Sequence, residues 1–396
     1  MSRREVTANE KSAKYGPWPD VATARLFLGG LAREDVPQTA VASWAQTLNI
    51  STLTPWLIRG ELAGAALGRY GQQWPELRHA LQTDQFMAAA EWELHTKTLE
   101  QLASALQTAR VTAVLLKGAA LALTVYPQHV WRTMSDVDLW VQGEEMAAAV
   151  AAITALGFAI HSKEDRPIFL QRLLQGEIQL YRTDWAQGLV ELHWSPFSGW
   201  WLRRVAQAAT DTVWARKEAL PVTAAPGAFY QLTAEDMVLH VAVHMSVNHQ
   251  LGMKACQELL DIALTAERRG VDWNVVAARA QEWRVGTAVY TVLQLLNELI
   301  GATGVEVALV KLRPSRLRRW LLARFVLPES VLAGQDLRGG QARYLLLLLL
   351  VDRPRDMLYL VFRTLWPEEE WLAARYGAQS VSRWRHIWRV LRHGQV

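Results

Sequence analysis

RTMSDVDLW, residues 132–140, sets two aspartates two positions apart inside an apolar stretch. On a strand, successive side chains alternate between faces. Asp136 and Asp138 therefore emerge on one side, and Val137 and Leu139 on the other. Two carboxylates ~5 Å apart at an effective dielectric of about 20 repel by roughly 3 kcal/mol. Something positive must offset that, and a divalent cation is the economical candidate. Mg²⁺ takes oxygen ligands, commonly one or two carboxylates completed by water and substrate phosphates.

The neighbouring segments place this strand in an α/β module over residues 110–200. VTAVLL (111–116) is a short β-branched run closed by Lys117-Gly118, and EEMAAAVAAITALG (144–157) reads as a helix stopped at Gly157. FAIHS (158–162), EIQLYR (177–182) and LVELHW (189–194) read as further strands. Strands and helices alternating at this spacing predict one compact sheet. Lys117, Gly118 and the free amides of the helix that follows suit a phosphate group. Arg132 has the fork to clamp a phosphate, or to form an internal salt bridge with the same aspartates. In LVELHW, Glu191 and His193 share one face, so Glu191 is a candidate third carboxylate, for a second cation or as a base. Each of these readings also has a plain structural counterpart as a strand edge or a surface ion pair.

The order LLKGAAL…YP…WRTMSDVDLWV…LGF…VELHW resembles the polymerase-beta-type nucleotidyltransferase superfamily. More narrowly it is similar to the bacterial uncharacterised nucleotidyltransferase group. HMSVNHQLG…ELLDIA…DW (244–273) resembles that group's helical His-and-Asp segment, and LWPEEEWLAARYG (365–377) its C-terminal signature, so the resemblance runs from about residue 85 to 377. It implies an α+β fold: a small mixed β-sheet core of nucleotidyltransferase type, flanked by N-terminal and C-terminal all-helical domains. It also implies transfer of a nucleoside monophosphate from an NTP to an acceptor, with pyrophosphate released. By motif position, Asp136, Asp138 and Glu191 are the catalytic, metal-binding carboxylates for Mg²⁺, with Mn²⁺ an alternative. Lys117, Gly118, Arg132 and Ser135 are the candidate nucleotide- and phosphate-binding residues. The usual loop serine is absent, since Ala119 follows the glycine. His193, His244 and Asp261 are candidate cleft contacts. The acceptor, whether a small molecule, a peptide or an RNA end, is left open.

Outside the module the pattern is helical: a tail over residues 1–20, a helical region over 21–109, and helices from 201 to 396. Asp236, His240 and His244 fall at i, i+4 and i+8 on one helix face, but this is not the H-E-x-x-H zinc pattern. Packed, hydrogen-bonded histidines are the simpler expectation. Thr233 with Asp236 has the spacing of a capping box. Nineteen tryptophans in 396 residues predict aromatic filling between helices, with some at an interface or cleft.

The net charge is only +4, but it is unevenly placed. KLRPSRLRRWLLAR (311–324) and RWRHIWRVLRHGQV (383–396) are basic stripes that suit an anionic partner. A single cysteine, Cys256, excludes an internal disulfide framework and fits a reducing, cytoplasmic compartment. The longest apolar run, YLLLLLLV (344–351), is far below the roughly 20 residues that span a bilayer, so no transmembrane segment is expected. A second function class stays open: a catalytically degenerate nucleotidyltransferase-like protein that docks nucleic acid, peptide or a partner protein.

Overall fold

The computed structural model describes residues 19–33, 37–161, 176–182, 188–197, 199, 201–221, 229–252, 254–334, 341–376 and 381–393. The expected tail lies almost wholly outside them. A mixed seven-stranded sheet is set among helices, an α+β fold. Its strands are β1 (Ala113–Leu115), β2 (Val137–Trp140), β3 (Ala159–His161), β4 (Glu177–Tyr181), β5 (Leu189–His193), β6 (Glu218–Ala219) and β7 (Phe229–Gln231). They lie side by side in the order β3-β4-β5-β2-β1-β7-β6. β2 runs parallel to β5 and antiparallel to β1, which in turn runs parallel to β7. The sheet therefore reaches past residue 200, where the sequence predicts helix alone. Strands of two and three residues are too short to show a period of two, and only their partners define them.

β1 and β2 are buried along their whole length, as central strands covered on both faces are. A single apolar core runs from the N-terminal helices through the sheet into the C-terminal helices. The first helix, Val21–Ala32, packs on its sequence neighbours, where Phe27 meets Trp44, Trp56 and Tyr70, as well as against Gly286–Leu299. There a Cβ on Gly29 would stand only 2.9 Å from the Ile300 carbonyl oxygen. The tryptophans are largely the expected filler: Trp56, Trp74, Trp92, Trp140, Trp214, Trp273 and Trp283 are buried, while Trp320, Trp384 and Trp388 are exposed.

Helix ends follow local chemistry. Asp20, Asn49, Thr233, Asp272 and Ser315 each accept a first-turn amide with their side chains. At Thr233 only half of the capping box forms. The Asp236 carboxylate turns instead to Arg216 (3.1 and 3.2 Å) and Arg279 (2.8 Å). Gly157, at φ +93°, and Gly270, at φ +68°, end their helices in the left-handed region that glycine tolerates. Among the described residues, no helix is long and apolar enough to cross a membrane.

The helix Ala63–Tyr70 backs directly onto the turn His129–Trp131, which leads into the aspartate strand. A Cβ on Gly64 would lie 2.7 Å from the Val130 carbonyl oxygen and 2.9 Å from that of Trp131. Both obstacles are backbone, so neither can rotate away. Gly64→Ala is expected to destabilise the protein by roughly 1–3 kcal/mol, read as a lower denaturant midpoint at unchanged slope. An unchanged midpoint would show that this packing is loose.

The two basic stripes differ. In the first, Arg318 points inward, donating to the carbonyl oxygens of Val351 (2.8 Å) and Asp352 (3.0 Å). In the second, the helix Arg383–His393 leaves Trp384 and Trp388 exposed, with Arg392 against the Trp388 ring.

Candidate active site

The aspartate segment is gripped from two sides before the strand begins. From the long helix Gln82–Thr108, Trp92 Nε1 donates to the Arg132 carbonyl oxygen (3.3 Å), and His95 Nε2 lies 3.1 Å from the Met134 carbonyl oxygen. From the helix Ala255–Arg269, Gln257 Nε2 donates to the Thr133 hydroxyl (3.3 Å). Asp261 on the same helix takes a bidentate pair from Arg132, Nε at 2.9 Å and Nη2 at 2.8 Å, and its Oδ1 also accepts from Tyr126 Oη at 2.7 Å. The Tyr126 hydroxyl is pushed well above its ordinary pKa by burial and by the Asp261 charge. Arg132 therefore forms an internal salt bridge, as one expectation held, but with Asp261 rather than with the aspartates of its own segment. Its Nη1 donates to the Thr133 carbonyl (3.1 Å), and Arg132 lines the same cleft as Lys117 and Asp138.

Asp138 is fully buried in β2, and its Oδ1 receives both Lys117 Nζ (3.0 Å) and His193 Nε2 (2.9 Å). Asp138 stands opposite Glu191 across the parallel pair β2–β5, and Glu191 stands opposite Gln179 across β5–β4. This register lines up a polar row across three strands. Gln179 Nε2 donates to Glu191 Oε1 at 2.7 Å, and Glu177 Oε2 lies 3.7 Å from His193 Nδ1. One ligand atom each from Asp138, Glu191 and His193 falls within a 4.8 Å set. Asp136 and the exposed Ser135 sit at the mouth of the strand, lining one cleft with Lys117, Gly118, Asp138, His244 and Asp261. Among the described residues, no tryptophan lines this cleft.

Lys117 joins β1 to its helix at φ +26°, a backbone conformation that a side chain rarely adopts. Strain of this kind is held only where surrounding structure enforces it. Here the Leu116 amide bonds to the Asp138 carbonyl oxygen (3.0 Å). Gly118 packs close behind, where a Cβ would come within 3.3 Å of Arg132 Nη1.

The charges follow from this geometry. Burial opposes ionisation of Asp138, but the Lys117 ammonium and the His193 hydrogen bond outweigh it and hold the carboxyl well below the usual range. Burial alone would lower Lys117, yet Asp138, Asp136 and Glu191 together raise it. Asp136 is raised by burial and then by the Asp138 charge. Glu191 is pushed up to about 8 by burial, then by Asp138 and Glu177. Lys117 and His193 bear directly on Asp138, and Lys254 and Arg132 act on Asp136 from farther off.

Glu191 carries a consequence for stability. Its folded pKa lies above the unfolded value, so its stabilising contribution is full below about 4.5 and is lost as pH rises through about 8. In chelator-treated protein, Glu191→Gln should raise the melting temperature at pH ~9 by roughly 5–10 °C and leave it nearly unchanged at pH ~5. Parallel pH curves for wild type and variant would mean that Glu191 ionises normally.

The helical histidines divide. Asp236 is taken up by arginines and takes no part in the cleft. His240 is buried beside Phe197, pushed down to about 3 by burial and then by the Lys117 charge. His244 lies in the cleft wall as a contact residue, with Nδ1 3.0 Å from Glu258 Oε1, and burial holds it well below the ordinary histidine value. Glu177, Gln179, His249, Lys254 and Glu258 also belong to the site region, and the sequence reading does not find them. EIQLYR carries a signal, because Glu177 and Gln179 share a face of β4, but only the strand register shows which face meets Asp138. Cys256 is buried and its thiol is pushed up to about 12, so it is inert.

No curated protein and no solved structure matches the chain. A family model described as uncharacterised nucleotidyltransferase matches residues 49–301, which takes in the helices that grip the aspartate segment, the sheet and the histidine-bearing wall of the cleft. The chain belongs to this nucleotidyltransferase family.

Proposed function

We propose that the cleft transfers a nucleoside monophosphate from an NTP to an acceptor oxygen and releases pyrophosphate, with Mg²⁺ as the resident cation. One observation carries the reading: buried carboxylates on adjacent strands, Asp138 in register with Glu191, with Asp136 at the strand mouth and Lys117 and His193 against Asp138. The donor set of Asp136, Asp138 and Glu191 is all oxygen, which fits Mg²⁺ or Mn²⁺. These three residues would hold it. When bound, the cation supplies positive charge to the triphosphate and to the oxygens that enter and leave phosphorus.

The chain's own groups do the rest. Lys117 brings a fixed positive charge to the phosphates, and Gly118 admits them close to the backbone. The buried strand face excludes water from Asp138, which strengthens each charge interaction there. With the cation's charge beside it, Glu191 would be ionised and would receive the acceptor's proton as the new P–O bond forms and the bond to pyrophosphate breaks. For an anionic partner, the exposed Trp384 and Trp388 among arginines favour the helix Arg383–His393 over 311–324, where Arg318 is committed inward.

Calorimetry with each NTP, with and without Mg²⁺, tests the reading on wild type and Asp138→Asn. Mg²⁺-dependent binding that the substitution abolishes is expected. Binding indifferent to both would place the nucleotide elsewhere. Failure of every NTP to bind folded protein would favour the degenerate, partner-docking alternative.

A further inference from the structure

A second cluster in the same cleft has a different chemistry from the carboxylates. His244 Nδ1 and His249 Nδ1 converge on a single oxygen, Glu258 Oε1, at 3.0 and 2.9 Å. The two imidazoles meet edge to face with centroids 4.2 Å apart. One donor atom from each of the three residues lies within a 4.8 Å set, and all three residues line the cleft. Glu258 is only 5% exposed, and among the described residues its other oxygen, Oε2, is buried without a hydrogen-bond partner. A buried unpartnered carboxylate oxygen costs about 1–3 kcal/mol or more, so something is expected to satisfy it.

The backbone is built to bring these side chains together. On an ordinary α-helix, residues five apart point about 140° away from each other. Here the helix Ala234–Val243 passes into a π turn over His244–Asn248, and the His249 amide bonds to the His244 carbonyl oxygen at 3.0 Å. That wider turn puts both rings on one side. It is followed by two residues in the left-handed region, Gln250 (φ +51°) and Leu251 (φ +57°). A single π turn of this kind is rare and occurs mostly at functional sites.

We propose that His244, His249 and Glu258 form a site for a transition-metal ion, Zn²⁺ by the nature of its donors, on the wall of the cleft. Metal–ligand bonds of about 2.0–2.1 Å in tetrahedral geometry separate ligand atoms by roughly 3.3 Å, so each imidazole nitrogen needs to part from Glu258 Oε1 by only a few tenths of an ångström. Two imidazole nitrogens with one carboxylate select Zn²⁺ and its neighbours over Mg²⁺, which the all-oxygen site prefers. Three protein ligands leave a fourth position for a water or a substrate oxygen from the cleft, the stoichiometry of reactive rather than purely structural zinc sites. On binding, each neutral imidazole carries its proton on Nε2 instead of Nδ1, so that both Nδ1 atoms and the Glu258 carboxylate are free to act as ligands. The inference does not depend on nucleotidyl transfer.

Co²⁺ is the probe, because its visible d–d absorption reports tetrahedral nitrogen–oxygen coordination. The full chain is titrated with Co²⁺ in excess Mg²⁺, which keeps the carboxylate site filled, and Zn²⁺ is then added to displace it. Wild type is expected to bind one equivalent at micromolar concentration. His249→Ala and Glu258→Gln should each weaken binding by at least about 100-fold, whereas Asp138→Asn should leave it unchanged. The His249 side chain is 33% exposed, so its truncation opens no core cavity, and unchanged melting temperatures certify folded variants. Three results would overturn the proposal: no binding by wild type, equal binding by wild type and both cluster variants, or binding lost in Asp138→Asn and kept in His249→Ala. Loss of NTP binding in Asp138→Asn with Co²⁺ binding intact would leave both sites standing as separate ones.

Discussion

Asp138→Asn is expected to lower NTP-dependent pyrophosphate release by roughly three orders of magnitude while leaving the melting temperature within a few degrees of wild type. Asparagine keeps the shape and one carbonyl oxygen, so Lys117 Nζ and His193 Nε2, at 3.0 and 2.9 Å from Oδ1, retain an acceptor. It removes the charge on which a cation and the Lys117 ammonium both depend. Alanine is the wrong choice here. Asp138→Ala strands the Lys117 ammonium, whose side chain is 16% exposed, and breaking a buried pair costs about 3–5 kcal/mol. A dead alanine variant would therefore mix lost chemistry with lost structure. Full pyrophosphate release by folded Asp138→Asn would remove Asp138 from the reaction.

Asp261→Ala has the largest expected effect on stability. Asp261 is completely buried and satisfies three groups at once: two nitrogens of Arg132 and the Tyr126 hydroxyl. Removing it leaves an uncompensated guanidinium in the core, at a cost of about 3–5 kcal/mol and a melting temperature lower by roughly 10 °C. The double variant Arg132→Met/Asp261→Leu should recover most of that loss, because it deletes the buried charges together. Arg132 also leads into Ser135, Asp136 and Asp138, so the single variant should loosen nucleotide binding as well. A melting temperature within 2 °C or so of wild type for Asp261→Ala would show that Arg132 finds another partner or reaches water.

The chemistry-bearing residues were legible where sequence spacing equals spatial spacing. Asp136 and Asp138 share a strand, Glu191 and His193 share another, and Lys117-Gly118 closes a third within the same few residues. Period-two alternation and helix-stop chemistry are local properties, so the strands within 110–200 and the stop at Gly157 follow from short-range rules. Composition likewise settled what fills the core, because nineteen tryptophans have few other places to go.

What local rules do not contain is register and long-range pairing. The partner of Arg132, Asp261, lies 129 positions away on a helix that sequence alone does not dock. Glu177 joins the site only through β4 pairing with β5, and one step of slippage would have turned it to the other face. β6 and β7 exist only because β1 offers them an edge. The His244–His249 encounter depends on a π turn, a backbone state with no propensity signature, paired with a glutamate from the next helix. The sequence by itself thus determined the helical regions, the strands within 110–200 and which residues carry charge. The tertiary structure decided which charges meet, because buried charges require partners and close packing supplies them from wherever the chain returns.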